Sequence, residues 1–195
     1  MNPVLVLASA SPRRRQLLEQ IGIACLVRPA DVDETPRADE TAPAFAARLA
    51  FDKARAVRND AGLPVLGADT VVVVDGRMLG KPRDRADGLD MLERLSGRSH
   101  EVISAVAMVR GGHEAGRVSV SAVRFRAITA AEREAYWASG EPADKAGAYA
   151  IQGLGALFVE HLEGSYSGVM GLPLFETGEL LAAFGIRVLG VRREA

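Results

Sequence analysis

Three consecutive arginines, Arg13 to Arg15, follow Ser9, Ser11 and Pro12 where an apolar run, Val4 to Ala8, gives way to a helical pattern. Ser11 at the N-cap and Pro12 at the first helical position read as a helix start. A short strand therefore feeds directly into a helix N-terminus, where backbone N–H groups lack intrahelical acceptors and lie at the positive end of the helix dipole. Such a junction binds anions. Residues 14, 17, 18 and 21 share one helical face, so Arg14 joins the stripe of Leu17, Leu18 and Ile21 and turns inward. Arg13 lies at the edge of that stripe, and Arg15, four residues before Glu19, is expected to form a surface pair. The competing reading is a first turn of solvated charges, slightly unfavourable against the dipole.

A second group centres on Asp69, followed by Thr70, inside the apolar stretch Val65 to Val74. A carboxylate in such company needs a cation or a metal as partner. The alternative is a structural Asp satisfied by backbone donors at a strand kink. Asp33 and Glu34, in the acidic segment DVDET, offer hard oxygen ligands for Mg²⁺ or Mn²⁺, although such a loop can equally be solvated. Lys81 precedes Pro82 and is biased to an extended conformation that suits reaching across a cleft. Lys53, in the middle of a helical pattern, reads as solvent-facing. Gly147, Gly153 and Gly155 permit close backbone approach to a ligand around Gln152. His100, His113 and His161 show no ligand spacing, and Tyr136 and Trp137 read as packing residues.

The elements that must position these residues follow from periodicity and punctuation. Val4 to Ala8 is a buried strand, with a helix to about Ile21 and a second strand at Cys25 to Arg28. Thr41 opens a long helix through Phe45, Leu49, Ala50 and Val57, closed by Gly62-Leu63-Pro64. The run VLGADTVVVVDGRMLGKP reads as a central strand with a hairpin at Asp75-Gly76. Asp84 caps a helix with a Leu89, Leu92 and Leu95 stripe; strands Val102 to Val109 and Arg117 to Phe125 then pair through Gly111-Gly112. Thr129 to Glu132 is a capping box, Leu157 to Leu162 a strand, and Pro173 to Phe184 the last helix. Helices alternating with strands, some of them hairpins, predict an α/β fold with a mixed sheet flanked by helices.

The 195 residues are read as one domain, 1–195, with 48% hydrophobic and 25% charged residues. A net charge of −1 excludes a global field for nucleic acid or an anionic membrane, so any anion site is local. The single cysteine, Cys25, reads as a buried thiol and can form no internal disulfide. The N-terminal apolar stretch is too short for a signal sequence and no run spans a bilayer, which makes the cytoplasm the expected location.

Taken in order, SASPRRR, DVDET, GADTVVVVDGRMLGKP, GEPADKAGAYAIQGLG and GSYSGVMGLPL closely resemble the Maf family of nucleotide pyrophosphatases over almost the whole chain. The resemblance implies a mixed α/β fold similar to inosine triphosphate pyrophosphatases, two lobes around a deep cleft, and often a homodimer. It implies hydrolysis of a nucleoside triphosphate between the α and β phosphates with a divalent cation, Mg²⁺ or Mn²⁺, as house-cleaning of nucleotide pools. By the same resemblance Ser9, Arg13, Arg14, Lys53 and Lys81 bind phosphate, Asp69 is the proton acceptor or orients metal-bound water, and Glu34 is the metal-associated carboxylate with Asp69. Substrate choice is carried by Arg13, Thr70 and Gln152, and GEPADKAGAYAIQGLG matches the branch acting on dTTP and UTP rather than the 7-methyl-GTP branch. The Gln152 amide, both donor and acceptor, suits the O4 and N3–H edge of thymine or uracil. The family's link to septum formation leaves a second expectation, a nucleotide-binding regulator that acts without catalysis.

Overall fold

A computed structural model of the chain describes residues 2–57 and 62–189. Strand β1 (Leu5–Leu7) is wholly buried and runs parallel to β2 (Cys25–Val27), with Leu5 opposite Cys25 and Leu7 opposite Val27. Helix α1 (Pro12–Gln20) makes the crossover. On its other side β1 pairs in parallel with β3 (Val65–Val74), reached through α2 (Ala42–Ala56), whose N-cap Thr41 accepts from Ala44 N–H. Strand β3 turns at Asp75-Gly76, both with positive φ (48° and 72°), into the antiparallel β4 (Arg77–Leu79). This is the hairpin chemistry an Asp-Gly pair favours.

After α3 (Arg85–Leu95), the long strands β5 (Ser99–Arg110) and β6 (His113–Phe125) are joined by Gly111-Gly112, too short a link for anything but an antiparallel pair. Helix α4 (Ala130–Ala138) opens with the full capping box of Thr129 and Glu132. Strand β7 (Val159–Glu163) lies antiparallel to β6, and α5 (Tyr166–Met170) and α6 (Leu174–Ala183) complete the chain. The sheet order is β2-β1-β3-β5-β6-β7, with β4 on β3: a mixed sheet with helices, as the sequence predicts.

Some expectations shift. Strand β3 runs unbroken through Asp69 and Thr70, so no kink accommodates the carboxylate. The last strand starts at Val159 because Leu154–Phe158 forms a 3-10 turn, which leaves Leu157 exposed. Cys25 is only half-buried, since β2 is the first strand of the sheet; burial and the nearby Glu19 raise its thiol pKa. Helix α2 ends at Ala56, short of the Gly62-Leu63-Pro64 expected to close it, and Val57, expected on its face, is already extended; residues 58–61 lie outside the described residues.

The chain divides into two compact units: Met1–Asp69 with Ser104–Val118 and Gly171–Ala195, and Thr70–Ile103 with Ser119–Met170. In the first, α2 packs on β1 and β3 through Val6, Ala8, Ala54 and Val65. The approach is close enough to require glycine at position 67. A Cβ there would lie within the van der Waals shell of the Ala50 carbonyl oxygen and 2.7 Å from Ala54 N. In the second unit, α3 and β3 to β6 enclose a core that includes Leu92, Leu95, Phe125 and Phe158. His100 meets Phe125 and Tyr149 edge-on, at ring separations of 4.8 and 5.4 Å. Its Nε2 and the Tyr149 hydroxyl are hydrogen-bonded at 2.9 Å, while its buried Nδ1 has no partner.

Two outcomes follow from this packing. Gly67→Ala forces α2 away from β3 and is expected to lower unfolding free energy by about 3 kcal/mol, read by urea titration. Burial lowers the His100 pKa to about 4. The neutral ring's contribution is therefore complete above its unfolded value of about 6.5 and is lost as pH falls toward 4, on the order of 3 kcal/mol. Urea titrations at pH 7 and pH 4.5 are expected to show a smaller difference for His100→Gln than for the parent; equal differences would exclude His100 as the source.

Candidate active site

Ser9 follows β1 and is buried, and its Oγ accepts from Ser11 N–H at 3.2 Å and from Arg14 Nη1 at 3.1 Å. Arg14 Nε donates to the Gly171 carbonyl at 2.9 Å. The side chain is thus held at both ends of its guanidinium, and GVMGLP gains a role as the source of that carbonyl. Helical phase divides the arginines as expected: Leu17 and Leu18 are buried beside Arg14, and Arg15 pairs with Glu19 at 3.3 Å on the surface. Burial works against the charge of Arg14, with a further push from Arg13, while Asp69 and Glu34 support it; the net direction is down. The first turn of α1 holds no acidic residue, and Ser11 caps it with no side-chain bond. No carboxylate of that turn competes for an anion at this helix end.

Lys53 departs from the solvent-facing position that a mid-helix lysine suggests. It is buried, on the same face of α2 as Ala46, Leu49 and Ala50. Its Nζ lies 2.6 Å from Asp69 Oδ1 and 2.6 Å from Glu34 Oε1. The partner that a buried Asp69 demands is therefore this ammonium. Gly67 lies two residues before Asp69 on β3, and the contact it permits with Ala50 and Ala54 brings Lys53 within reach.

The acidic segment uses its two carboxylates differently. Asp33 is exposed and accepts from Thr35 N–H at 2.9 Å, closing a turn within its own loop. Hydrogen bonds from Thr35 lower its pKa. Glu34 is the one that reaches Lys53. Arg48 and Glu40, which the sequence reading passed over, hold this segment in place. Arg48 donates to Glu40 at 2.6 and 2.8 Å and to the Thr35 carbonyl at 3.1 Å, next to Glu34. The bond from Arg48 is the chief reason the Glu40 carboxyl falls to about 2. The available signal was spacing: Arg48 precedes Asp52 by one turn, and the two approach to 3.6 Å.

Among the described residues no group of three or more acidic, His or Cys side chains could hold a metal. Glu34 and Asp69 do present two carboxylate oxygens to one cationic centre. Such a donor set fits Mg²⁺, which is commonly held by one or two carboxylates together with substrate phosphates and water, and it does not resemble a complete protein cage.

Thr70, Lys81 and Gln152 belong to the second unit. Thr70 is half-buried on β3; Lys81 and Gln152 are exposed, the one just after β4, the other just before the 3-10 turn Leu154–Phe158. The Gly147 N–H donates to the Gly80 carbonyl at 3.0 Å, tying the segment before Gln152 to the residue before Lys81. The histidines contribute none of this: His100 is enclosed in its core, and His113 packs on Phe184 at 4.6 Å. No helix among the described residues is long and apolar enough to cross a membrane.

The family model of Maf-like proteins matches residues 4–184. A protein of Alkalilimnicola ehrlichii named dTTP/UTP pyrophosphatase is 56% identical over 191 residues, covering 94% of each chain. One of the same name from Saccharophagus degradans is 51% identical over 189 residues, covering 94% of this chain and 90% of the other. Among solved structures, a nucleoside-triphosphatase of Mycobacterium abscessus (19% identity, 62% of this chain and 73% of that one, TM-score 0.39) and the Ham1 protein of Staphylococcus aureus (16%, 62% and 71%, 0.43) are similar. With a family model spanning nearly the full sequence and relatives at more than half identity, the chain belongs to the Maf-like protein family.

Proposed function

We propose that this chain is a nucleoside triphosphate pyrophosphatase acting on dTTP and UTP. It is taken to hydrolyse the bond between the α and β phosphates to give the nucleoside monophosphate and pyrophosphate in the cytoplasmic nucleotide pool. The supporting names are those of relatives at 50 to 56% identity, all dTTP/UTP pyrophosphatases. The observation that carries the chemistry is the meeting of Asp69 and Glu34 on Lys53 at 2.6 Å in the unit that also holds Arg14 on Ser9.

In this reading Arg14 and Ser9 form a preset cradle for phosphate oxygens, and the family resemblance implies that Arg13 and Lys81 also bind phosphate. Positioning and charge neutralisation do most of the work in phosphoryl chemistry. Lys53 lies 2.6 Å from Asp69 and, when the triphosphate enters, is available to its oxygens. Asp69 orients a water molecule and accepts its proton as the water oxygen bonds to the α phosphorus and the bridge to the β phosphate breaks. Glu34 and Asp69 would hold a divalent cation, whose contribution is to offset phosphate charge and polarise the phosphorus. Arg13, Thr70 and Gln152 carry substrate choice, with the Gln152 amide reading the O4 and N3–H edge; cytosine reverses that edge and leaves the amide mispaired.

Pyrophosphate release from dTTP, UTP, dCTP, GTP and 7-methyl-GTP is expected to favour the first two, and equal turnover of all five would refute the assignment. Asp69→Asn is expected to cost on the order of 10²-fold or more in turnover with an unchanged circular dichroism spectrum. Chelation with EDTA should abolish turnover and added Mg²⁺ or Mn²⁺ restore it; turnover that survives chelation removes the metal from the mechanism.

A further inference from the structure

Gln152 stands between two stretches of backbone whose amides are taken by one pair of side chains. Tyr136, buried on α4, accepts from Ala150 N–H at 3.0 Å and donates through the same hydroxyl to Glu141 Oε1 at 2.6 Å. Glu141 Oε2 accepts from Leu154 N–H at 2.9 Å, and Oε1 accepts from Gly155 N–H at 3.1 Å. One linked network therefore grips the chain two residues before Gln152 and again two and three residues after it. Burial pushes the Glu141 carboxyl up, but the bonds from Tyr136, Leu154 and Gly155 outweigh it, so Glu141 is a carboxylate with its acceptor positions committed.

The loop glycines belong to this network. A Cβ at Gly153 would come within 2.7 Å of Glu141 Oε1, and one at Gly155 within 2.8 Å of the Tyr136 hydroxyl. The close approach that these glycines permit is to the protein's own clamp, whereas the sequence alone suggested a ligand. Further back, Gly147 is pressed on Val72, where a Cβ would meet Cγ2 at 2.9 Å, and Ala148 is fully buried at φ 57°, a conformation that costs an alanine energy. The segment is fastened at both ends, with Gln152 exposed between.

We infer that Tyr136 and Glu141 are positioning residues that set the discrimination between pyrimidine bases by holding the Gln152 loop rigid. This rests on the reading of Gln152 as the group facing the base edge. An amide distinguishes a thymine or uracil edge from a cytosine edge only while its own orientation is held, since a loop free to move can present either end of the amide. Tyr136→Phe tests this with little change in packing, because the ring keeps its edge contact with Phe158 at 5.1 Å while both hydroxyl hydrogen bonds are lost.

The variant is expected to raise KM for dTTP on the order of 10-fold, with the effect on KM rather than kcat, and to lower the ratio of kcat/KM for dTTP over dCTP by a similar factor. In a Gln152→Ala background the same change should leave that ratio unmoved, since both substitutions act through one group. A purely structural clamp would lower Tm while the ratio stays at the parent value. If Gln152→Ala collapses the ratio and Tyr136→Phe leaves it intact, or if the two effects simply add, the positioning role is overturned. If Gln152→Ala itself leaves the ratio intact, the base-reading role fails and this inference with it. Should Tyr136→Phe unfold at assay temperature, Glu141→Gln, which keeps the side-chain volume and one acceptor oxygen, carries the same expectations.

Discussion

An ammonium buried against two carboxylates is the constraint on which the first unit depends. Lys53 and Asp69 are both buried on apolar surfaces, where an isolated charge is costly; each is tolerable because the other is 2.6 Å away. Such a pair contributes little net stability, yet removal of Lys53 leaves Asp69 an uncompensated buried charge, which costs roughly 3 to 5 kcal/mol, whereas removal of Asp69 leaves Lys53 with Glu34. The pair therefore fixes where α2 can lie on β3, and Gly67 makes that position sterically available. Packing and charge select the same placement. The outcome is a charged centre built on a helix and a strand rather than on loops, which suits a site that must hold its geometry.

Both units attach their loops by a similar device. In the first, Glu40 and Arg48 gather the Arg37 N–H and the Thr35 carbonyl, so that Glu34 is delivered to Lys53. In the second, Glu141 and Tyr136 gather three amides around Gln152. Each time a carboxylate is given more than one donor, and the network is harder to disrupt than an exposed ion pair. Pairs such as Arg124 with Glu160, each side chain about half exposed, are of the kind worth less than about 1 kcal/mol. Charge is spent unevenly. The chain's net charge is −1, and among the described residues the charged groups that the fold confines include Arg14 on Ser9 and those that hold loops or meet at Lys53.

Much was legible in the order of residues because the signals are local. Ser11-Pro12 starts a helix, Asp75-Gly76 makes a hairpin, and Thr129 with Glu132 closes a capping box, each within four residues and each found in the structure. Helical phase divided Arg14 from Arg15 for the same reason: 3.6 residues per turn is known before any fold is. The apolar surroundings of Asp69 announced that it needed a partner.

What that partner is, only the tertiary structure decided. Lys53 is 16 residues from Asp69, and no local rule says that α2 crosses β3 at Gly67. A mid-helix lysine looks solvated until its neighbours on the face, Ala46, Leu49 and Ala50, are seen to be covered. Choosing Glu34 over Asp33 likewise depended on Arg48, and reading Gly153 and Gly155 as room for Glu141 and Tyr136 depended on where α4 ends. Periodicity and capping are properties of a chain segment and its own backbone. Burial of a charge, and the choice of what neutralises it, are properties of two segments brought together by the fold.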